Sequence, residues 1–214
     1  WHGLDGDRKY AFVQSDNRSG FPWLTGRQIP TLLRFQPYFT DLANVKHAPI
    51  RVKTPSGQDL LLQSDALHQE IAQLTRLKFH LMQLGRGAVD SMAVSLISSA
   101  SIQAIGDRIG EPFLDPRRFR ANILLDTFDG RPFSEEDWLG GLLVFGERDN
   151  SARLHANRQN VRCMMINLDP DTARQNGKVL RQVSQERDKC AGIYGSVQTP
   201  GTIQVGDVIR LLRF

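Results

Sequence analysis

A chain of 214 residues, 40% hydrophobic and 23% charged, has the composition of a globular protein with room for one or two cores. No stretch approaches the roughly 20 apolar residues of a membrane span. The net charge of +4 comes from dispersed Lys and Arg rather than basic clusters interleaved with aromatics, which argues against nucleic acid and suits a basic pocket for an anionic cofactor. The two cysteines, Cys163 and Cys190, are too few for a disulfide framework and point to a reducing, cytoplasmic setting. The first residue is Trp1, and no signal-like segment is recognisable.

Along the chain, short apolar runs rich in Val, Ile and Phe, bounded by Gly, Pro, Asp or Asn, read as strands. They fall at residues 9–14, 31–37 and 48–53. Residues 64–77 read as a helix, with Leu67, Ile71 and Leu74 on one face and Ser64 or Asp65 as the cap. Gly85-Arg86-Gly87 marks a boundary, giving an N-terminal part at 1–84 and a second part at 85–214. There a strand at 93–97 precedes a helix at 98–110, whose stripe is Ile102, Ile105 and Ile109 and whose stop is Gly110. A strand at 121–125, a short acidic-capped helix at 134–138, and strands at 142–145, 161–168, 193–197 and 207–213 complete the pattern. Many short strands with few helices predict a mainly β fold, a barrel rather than a doubly wound sheet.

Several chemistries lack their residues. The five histidines have no zinc-ligand spacing, and no Cys-x-x-Cys pair, nucleophile elbow, phosphate loop or dinucleotide fingerprint occurs. Asp169-Pro170-Asp171 with Gly177 has the wrong spacing for a calcium loop and reads as a turn. The densest basic run, Arg117-Arg118-Phe119-Arg120, is either a solvated loop face or a phosphate clamp. By spacing alone, Cys163 reads as a small buried hydrophobe in an apolar strand, and Cys190 as structural.

A set of motifs in fixed order changes the reading of Cys163. They are Gly3-Leu4-Asp5-Gly6-Asp7-Arg8, Leu24-Thr25-Gly26-Arg27, Asp90-Ser91-Met92-Ala93, Arg118-Phe119-Arg120-Ala121-Asn122, Val161-Arg162-Cys163-Met164, Gly192-Ile193-Tyr194 and Pro200-Gly201-Thr202 through Gly206-Asp207. Together they resemble the MOSC-domain family with its N-terminal β-barrel region, closest in order to the mitochondrial amidoxime-reducing component and its bacterial relatives. The resemblance implies a MOSC-type β-barrel with a smaller N-terminal β domain and a few short helices. The family's Tyr-Pro-Val-Lys-Ser-like first strand has no match before Gly3, so a truncated or processed chain is expected.

The resemblance also implies a molybdenum–molybdopterin cofactor, with pyridoxal phosphate binding a further family-level association. Cys163 would ligate the metal, since a soft molybdenum dithiolene centre takes a thiolate. Arg8, Ser91, Arg120, Asn122, Arg162 and Tyr194 would bind the cofactor, with Arg162 using its backbone if strand alternation turns its side chain away. Asp90 would lie near the metal as a proton relay or substrate-orienting group, or else form an Asx-type turn. The implied activity is two-electron reduction of small N-hydroxylated compounds, with electrons from a separate electron-transfer protein. The alternatives are a cofactor or sulfur carrier without turnover, or a non-catalytic binding module.

Overall fold

The computed structural model describes residues 3–85, 87 and 91–213, and the chain forms two compact units. One is made chiefly of Asp5–Ala88 with Leu168–Gln175; the other is made chiefly of Val89–Asn167 and Asn176–Phe214. Among the described residues no helix is long and apolar enough to cross a membrane.

The first unit contains β1 (Tyr10–Gln14), β2 (Gln36–Phe39), β3 (Ile50–Lys53), β4 (Asp59–Leu61), α1 (Asp65–Ala72) and β5 (Phe79–Gln83). β1 and β5 form an antiparallel ribbon, and β2, β3 and β4 a three-stranded antiparallel sheet. The core gathers Leu24, Ile29, Phe35, Val52, Leu67, Ile71 and Phe79, and the Phe12 and Phe79 rings meet edge to face at 5.5 Å. Ser64 caps α1 by accepting from the Leu67 N–H at 3.3 Å. The expected helix at 64–77 is shorter than its pattern: it ends at Ala72, and Leu74 is exposed. The expected strand at 31–37 is also corrected. Pro30 fixes its φ at the start of a 3-10 turn over Pro30–Arg34, closed by Phe35 N–H to the Leu32 carbonyl, and strand geometry resumes at Gln36.

The second unit contains β6 (Val94–Ser98), α2 (Ser99–Ile109), β7 (Ile123–Leu125), β8 (Leu142–Phe145), β9 (Arg153–Val161), α3 (Lys178–Arg187), β10 (Cys190–Thr199) and β11 (Ile209–Leu212). Six strands form one sheet in the order β11-β8-β9-β10-β6-β7, curled into a half-barrel; only β6 and β7 run parallel. The mainly β architecture is the one the sequence predicts. One sheet face buries Val94, Leu96, Leu143, Phe145, Leu154 and Ile193. A second core forms where α2 and α3 bring Ile102, Ile105, Val179 and Val183 onto Ile97, Phe119, Ile166 and Ala191.

α2 begins and ends as predicted. The Ser98 hydroxyl accepts from the Ser101 N–H at 3.1 Å, and Gly110 stops the helix at φ 77°. At this helix start lies the fully buried carboxylate of Glu135. It accepts from the Ser98 N–H at 3.1 Å, the Ser98 hydroxyl at 2.9 Å and the Ser101 hydroxyl at 2.8 Å. Ser101 in turn accepts from the Phe133 N–H at 2.7 Å. The end of β6, the first turn of α2 and the 3-10 turn over Ser134–Trp138 are thereby tied at one point, where the helix dipole favours negative charge.

Candidate functional site

The expected strand at 161–168 is not formed. β9 precedes it and ends at Val161, and Met164–Asn167 closes a 3-10 turn with the Ile166 N–H donating to the Cys163 carbonyl at 3.3 Å. Cys163 therefore sits at the junction of strand and turn, half-buried, with a free thiol.

The junction is held from both sides. Upstream, Arg162 donates its backbone N–H to the Lys189 carbonyl at 2.7 Å, and its buried side chain turns inward. Arg162 Nε donates to the Ala191 carbonyl at 2.7 Å and Nη1 to the Phe119 carbonyl at 2.9 Å, with the guanidinium 5.4 Å from the centre of the Phe119 ring. Downstream, the Asn167 carbonyl accepts from Arg118 Nη1 at 3.0 Å and from the Asn176 N–H at 2.8 Å, while its side-chain oxygen accepts from the Leu180 N–H at 2.8 Å. The 3-10 turn over Pro116–Phe119 thus grips the segment at both ends, and the first turn of α3 holds its downstream end.

Among the described residues, no carboxylate is in bonding contact with the buried Arg162 cation. Its side-chain donors go to neutral oxygens: two backbone carbonyls and the Asn160 carboxamide, which accepts from Nη1 at 3.1 Å and Nη2 at 3.2 Å. Burial pushes the guanidinium down to about 10, opposed by attraction to Tyr194, Cys163, Cys190 and Glu135 when these are anionic. The charge is retained at neutral pH, directly beside Cys163. In low-dielectric surroundings it leaves a positive field that an anion can satisfy.

Three strands carry the remaining polar groups. Tyr194 on β10 stands opposite Ser95 on β6 and Arg158 on β9, and cross-strand partners share a sheet face. Asn122, just before β7, locks onto Ser95: its side-chain oxygen accepts from the Ser95 N–H at 3.0 Å and hydroxyl at 3.1 Å. Arg158, exposed, donates to the exposed Ser91 hydroxyl. Arg120 is exposed in the left-handed region at φ 49°, closing the turn whose Phe119 carbonyl receives Arg162.

Among the expected site residues, Ser91 and Tyr194 are linked through Arg158, and Tyr194 and Arg162 through Asn160. Asn122 reaches Tyr194 through Ser95. Arg8 belongs to the other compact unit, half-buried and paired with Asp7 at 2.7 Å. Asp90 lies outside the described residues. The run Arg117-Arg118-Phe119-Arg120 does not act as one clamp, since Arg117 pairs with Asp115 at 2.6 Å and Arg118 is buried against Asn167. Cys190 is buried, and that burial, with Glu136 and Asp188 nearby, pushes its thiol up.

Arg158 and Asn160 were not among the expected residues. Their signal is the alternation Arg158, Asn160, Arg162, polar at every second position, which on a strand makes one polar face.

Gly192 makes the close packing behind Arg162 possible. Its φ is 74°, and a Cβ there would press on the Leu96 carbonyl, 3.0 Å from Ile97 Cβ and 3.3 Å from Arg162 Nη2. Gly192→Ala is expected to cost about 2 kcal/mol or more in chemical denaturation, from backbone strain and the displacement of β6. A variant within roughly 0.5 kcal/mol of the wild type would show that the strands part easily at this point.

A model of the MOSC domain matches residues 83–210. No curated protein matches the chain. Among solved structures the chain is similar to the YuaD protein from Bacillus subtilis, at 14% identity over 96% of this chain and 97% of that one, with a TM-score of 0.45. The domain match extends over more than half the chain and contains Cys163, Arg162 and Tyr194: the chain belongs to the MOSC domain family.

Proposed function

We propose that the chain binds a molybdenum–molybdopterin cofactor through Cys163 and reduces small N-hydroxylated compounds. MOSC domains are associated with molybdenum-cofactor binding, and the observation that carries the reading is the half-buried thiol beside a buried, carboxylate-free guanidinium. The donor set fits the group. Among the described residues no cluster of three or more His, Cys, Asp or Glu could hold a metal. A metal at Cys163 would then need ligands beyond these side chains, and a dithiolene pterin supplies soft sulfur ligands of that kind.

In this reading Cys163 would hold the metal as a thiolate, and the neighbouring Arg162 charge would favour negative charge at that sulfur. Tyr194, Arg158 with Ser91, Asn122 and Arg120 offer a phenol, guanidinium groups, a hydroxyl and an amide for the pterin edges and phosphate. Asp90 is assigned to proton transfer or substrate orientation. When bound, the cofactor supplies the two-electron chemistry; the protein orients it and shapes the field around it. Electrons come from a separate transfer protein.

The experiment is reduction of benzamidoxime by the metal-loaded protein with an artificial electron donor. Turnover that scales with molybdenum content is expected. Loaded protein that leaves the amidoxime unchanged would refute the reductase reading and leave a cofactor or sulfur carrier.

A further inference from the structure

The turn that follows α3 is strained. Asp188 and Lys189 both lie in the left-handed region, at φ 49° and 66°. Aspartate is tolerated there, but a lysine, with its long side chain, is uncommon. The turn nevertheless carries a contact of the candidate site, because the Lys189 carbonyl accepts the Arg162 N–H at 2.7 Å, one residue before Cys163. Its own closure is local, the Lys189 N–H donating to the Val183 carbonyl at 3.1 Å.

Arg187, the last residue of α3, ties this turn to distant parts of the same unit. Its guanidinium lies 4.2 Å from the centre of the Phe133 ring and donates through Nη2 to Glu136 Oε2. The same oxygen accepts from Gln159 Nε2 of β9 at 2.7 Å. The platform beneath is anchored, since the Phe133 N–H is bonded to Ser101 of the buried Glu135 network. By itself the pair contributes little. The Glu136 side chain is only 9% exposed, yet its Oε1 and Arg187 Nε are buried without a hydrogen-bond partner. Burial pushes the Glu136 carboxyl up, and the Gln159 and Arg187 donors offset that only in part. Its use lies in what it holds.

We infer that Glu136 is a positioning residue: through Arg187 it holds the strained Asp188–Lys189 turn in place, so that the Lys189 carbonyl fixes the backbone at Arg162 and presents Cys163 at the strand end. That Cys163 carries a metal rests on the cofactor reading above; the clamp itself does not.

The test reads amide hydrogen exchange at Arg162 in the cofactor-free full chain. In Glu136→Leu that exchange is expected to speed up at least about tenfold more than exchange at the slowest amides of β8, which report global unfolding. An Arg162 amide that changes no more than those amides would overturn the inference. Should the variant not fold, Arg187→Met releases the turn from the other end, with the same expectation and the same refutation. Rescue separates a clamp on strain from general support. Glycine adopts the left-handed conformation without strain, so in a Lys189→Gly background Glu136→Leu should speed the Arg162 amide by less than about threefold. An undiminished effect in that background would overturn the inference. In the loaded protein Glu136→Leu should retain at least about threefold less molybdenum than the wild type. Unchanged retention beside a loosened Arg162 amide would show that the turn does not position Cys163. A loosened amide in a chain whose wild type never retains molybdenum would leave the clamp standing and refute the cofactor reading.

Discussion

Cys163→Ala protein purified from a molybdenum-replete host is expected to retain at least about tenfold less molybdenum than the wild type, a loss of roughly 1.4 kcal/mol or more in binding. Cys163 offers the one thiolate of the junction, and no cluster of other ligating side chains among the described residues could take its place. The contacts that would remain, from Arg158, Tyr194 and Asn122, are hydrogen bonds to the organic part of the cofactor and do not replace a metal–sulfur bond. Cys163→Ser should behave like Cys163→Ala, because an alcohol is a hard, weakly acidic ligand. Cys190→Ala is the control. That thiol is buried and donates to the Asp188 carbonyl at 3.6 Å, so its loss should leave the metal content unchanged. Equal molybdenum in wild type and Cys163→Ala, measured by elemental analysis, would refute ligation by this residue.

Glu135→Leu is expected to destabilise the MOSC-domain unit by roughly 3 kcal/mol or more in chemical denaturation, because buried donors lose their acceptor. The carboxylate is fully buried and accepts from one backbone N–H and two hydroxyls. The hydroxyls of Ser98 and Ser101 can turn to new partners, for they lie 2.7 Å from each other. The Ser98 N–H cannot turn. It points into the space left by Glu135 at the very start of α2, where the helix dipole is already positive. Glu135→Gln, which matches the size, should lose about 1–2 kcal/mol, since the amide nitrogen must face a donor. A Glu135→Leu protein as stable as the wild type would show that the network is incidental.

Much of this architecture is legible in the sequence where local chemistry and tertiary packing agree. α2 is an example: Ser98, the Ile102 and Ile105 stripe and Gly110 supply start, face and stop, and each takes its expected place. β8 likewise reads as a run of four apolar residues because it is buried along its whole length. The misreadings occur where function or tertiary contact dominates. β9 carries Arg153, His155, Asn157, Arg158, Gln159 and Asn160 and shows no apolar run, yet it pairs with both β8 and β10. Its polar face is the candidate site, and the pattern that hides the strand is the one that builds the site. α3 escaped notice because only Val179 and Val183 are buried and Gly177 offers no side-chain cap. The run from Val161 to Leu168 reads as strand by composition, but the inward turn of Arg162 toward the Phe119 and Ala191 carbonyls ends the strand.

The site divides in the same way. Arg162, Ser91 and Tyr194 are expected site residues from motif order, and the contacts described above connect Ser91 to Tyr194 through Arg158 and Tyr194 to Arg162 through Asn160. Their linkers, Asn160 and Arg158, carry no motif of their own. Periodicity could have found them had β9 been recognised, since Arg158, Asn160 and Arg162 alternate with Gln159 and Val161. Glu135 was read as part of an acidic first turn, and nothing local marks it as the acceptor for serines more than thirty positions earlier.

The central claim, a bond between molybdenum and the Cys163 sulfur, is tested most directly by placing selenium at that position. A Cys190→Ser chain expressed with selenocysteine in place of cysteine carries selenium at residue 163 alone. Molybdenum-edge X-ray absorption of the loaded protein should then contain a molybdenum–selenium scattering path that the sulfur form lacks. A loaded protein without that path would contradict the account.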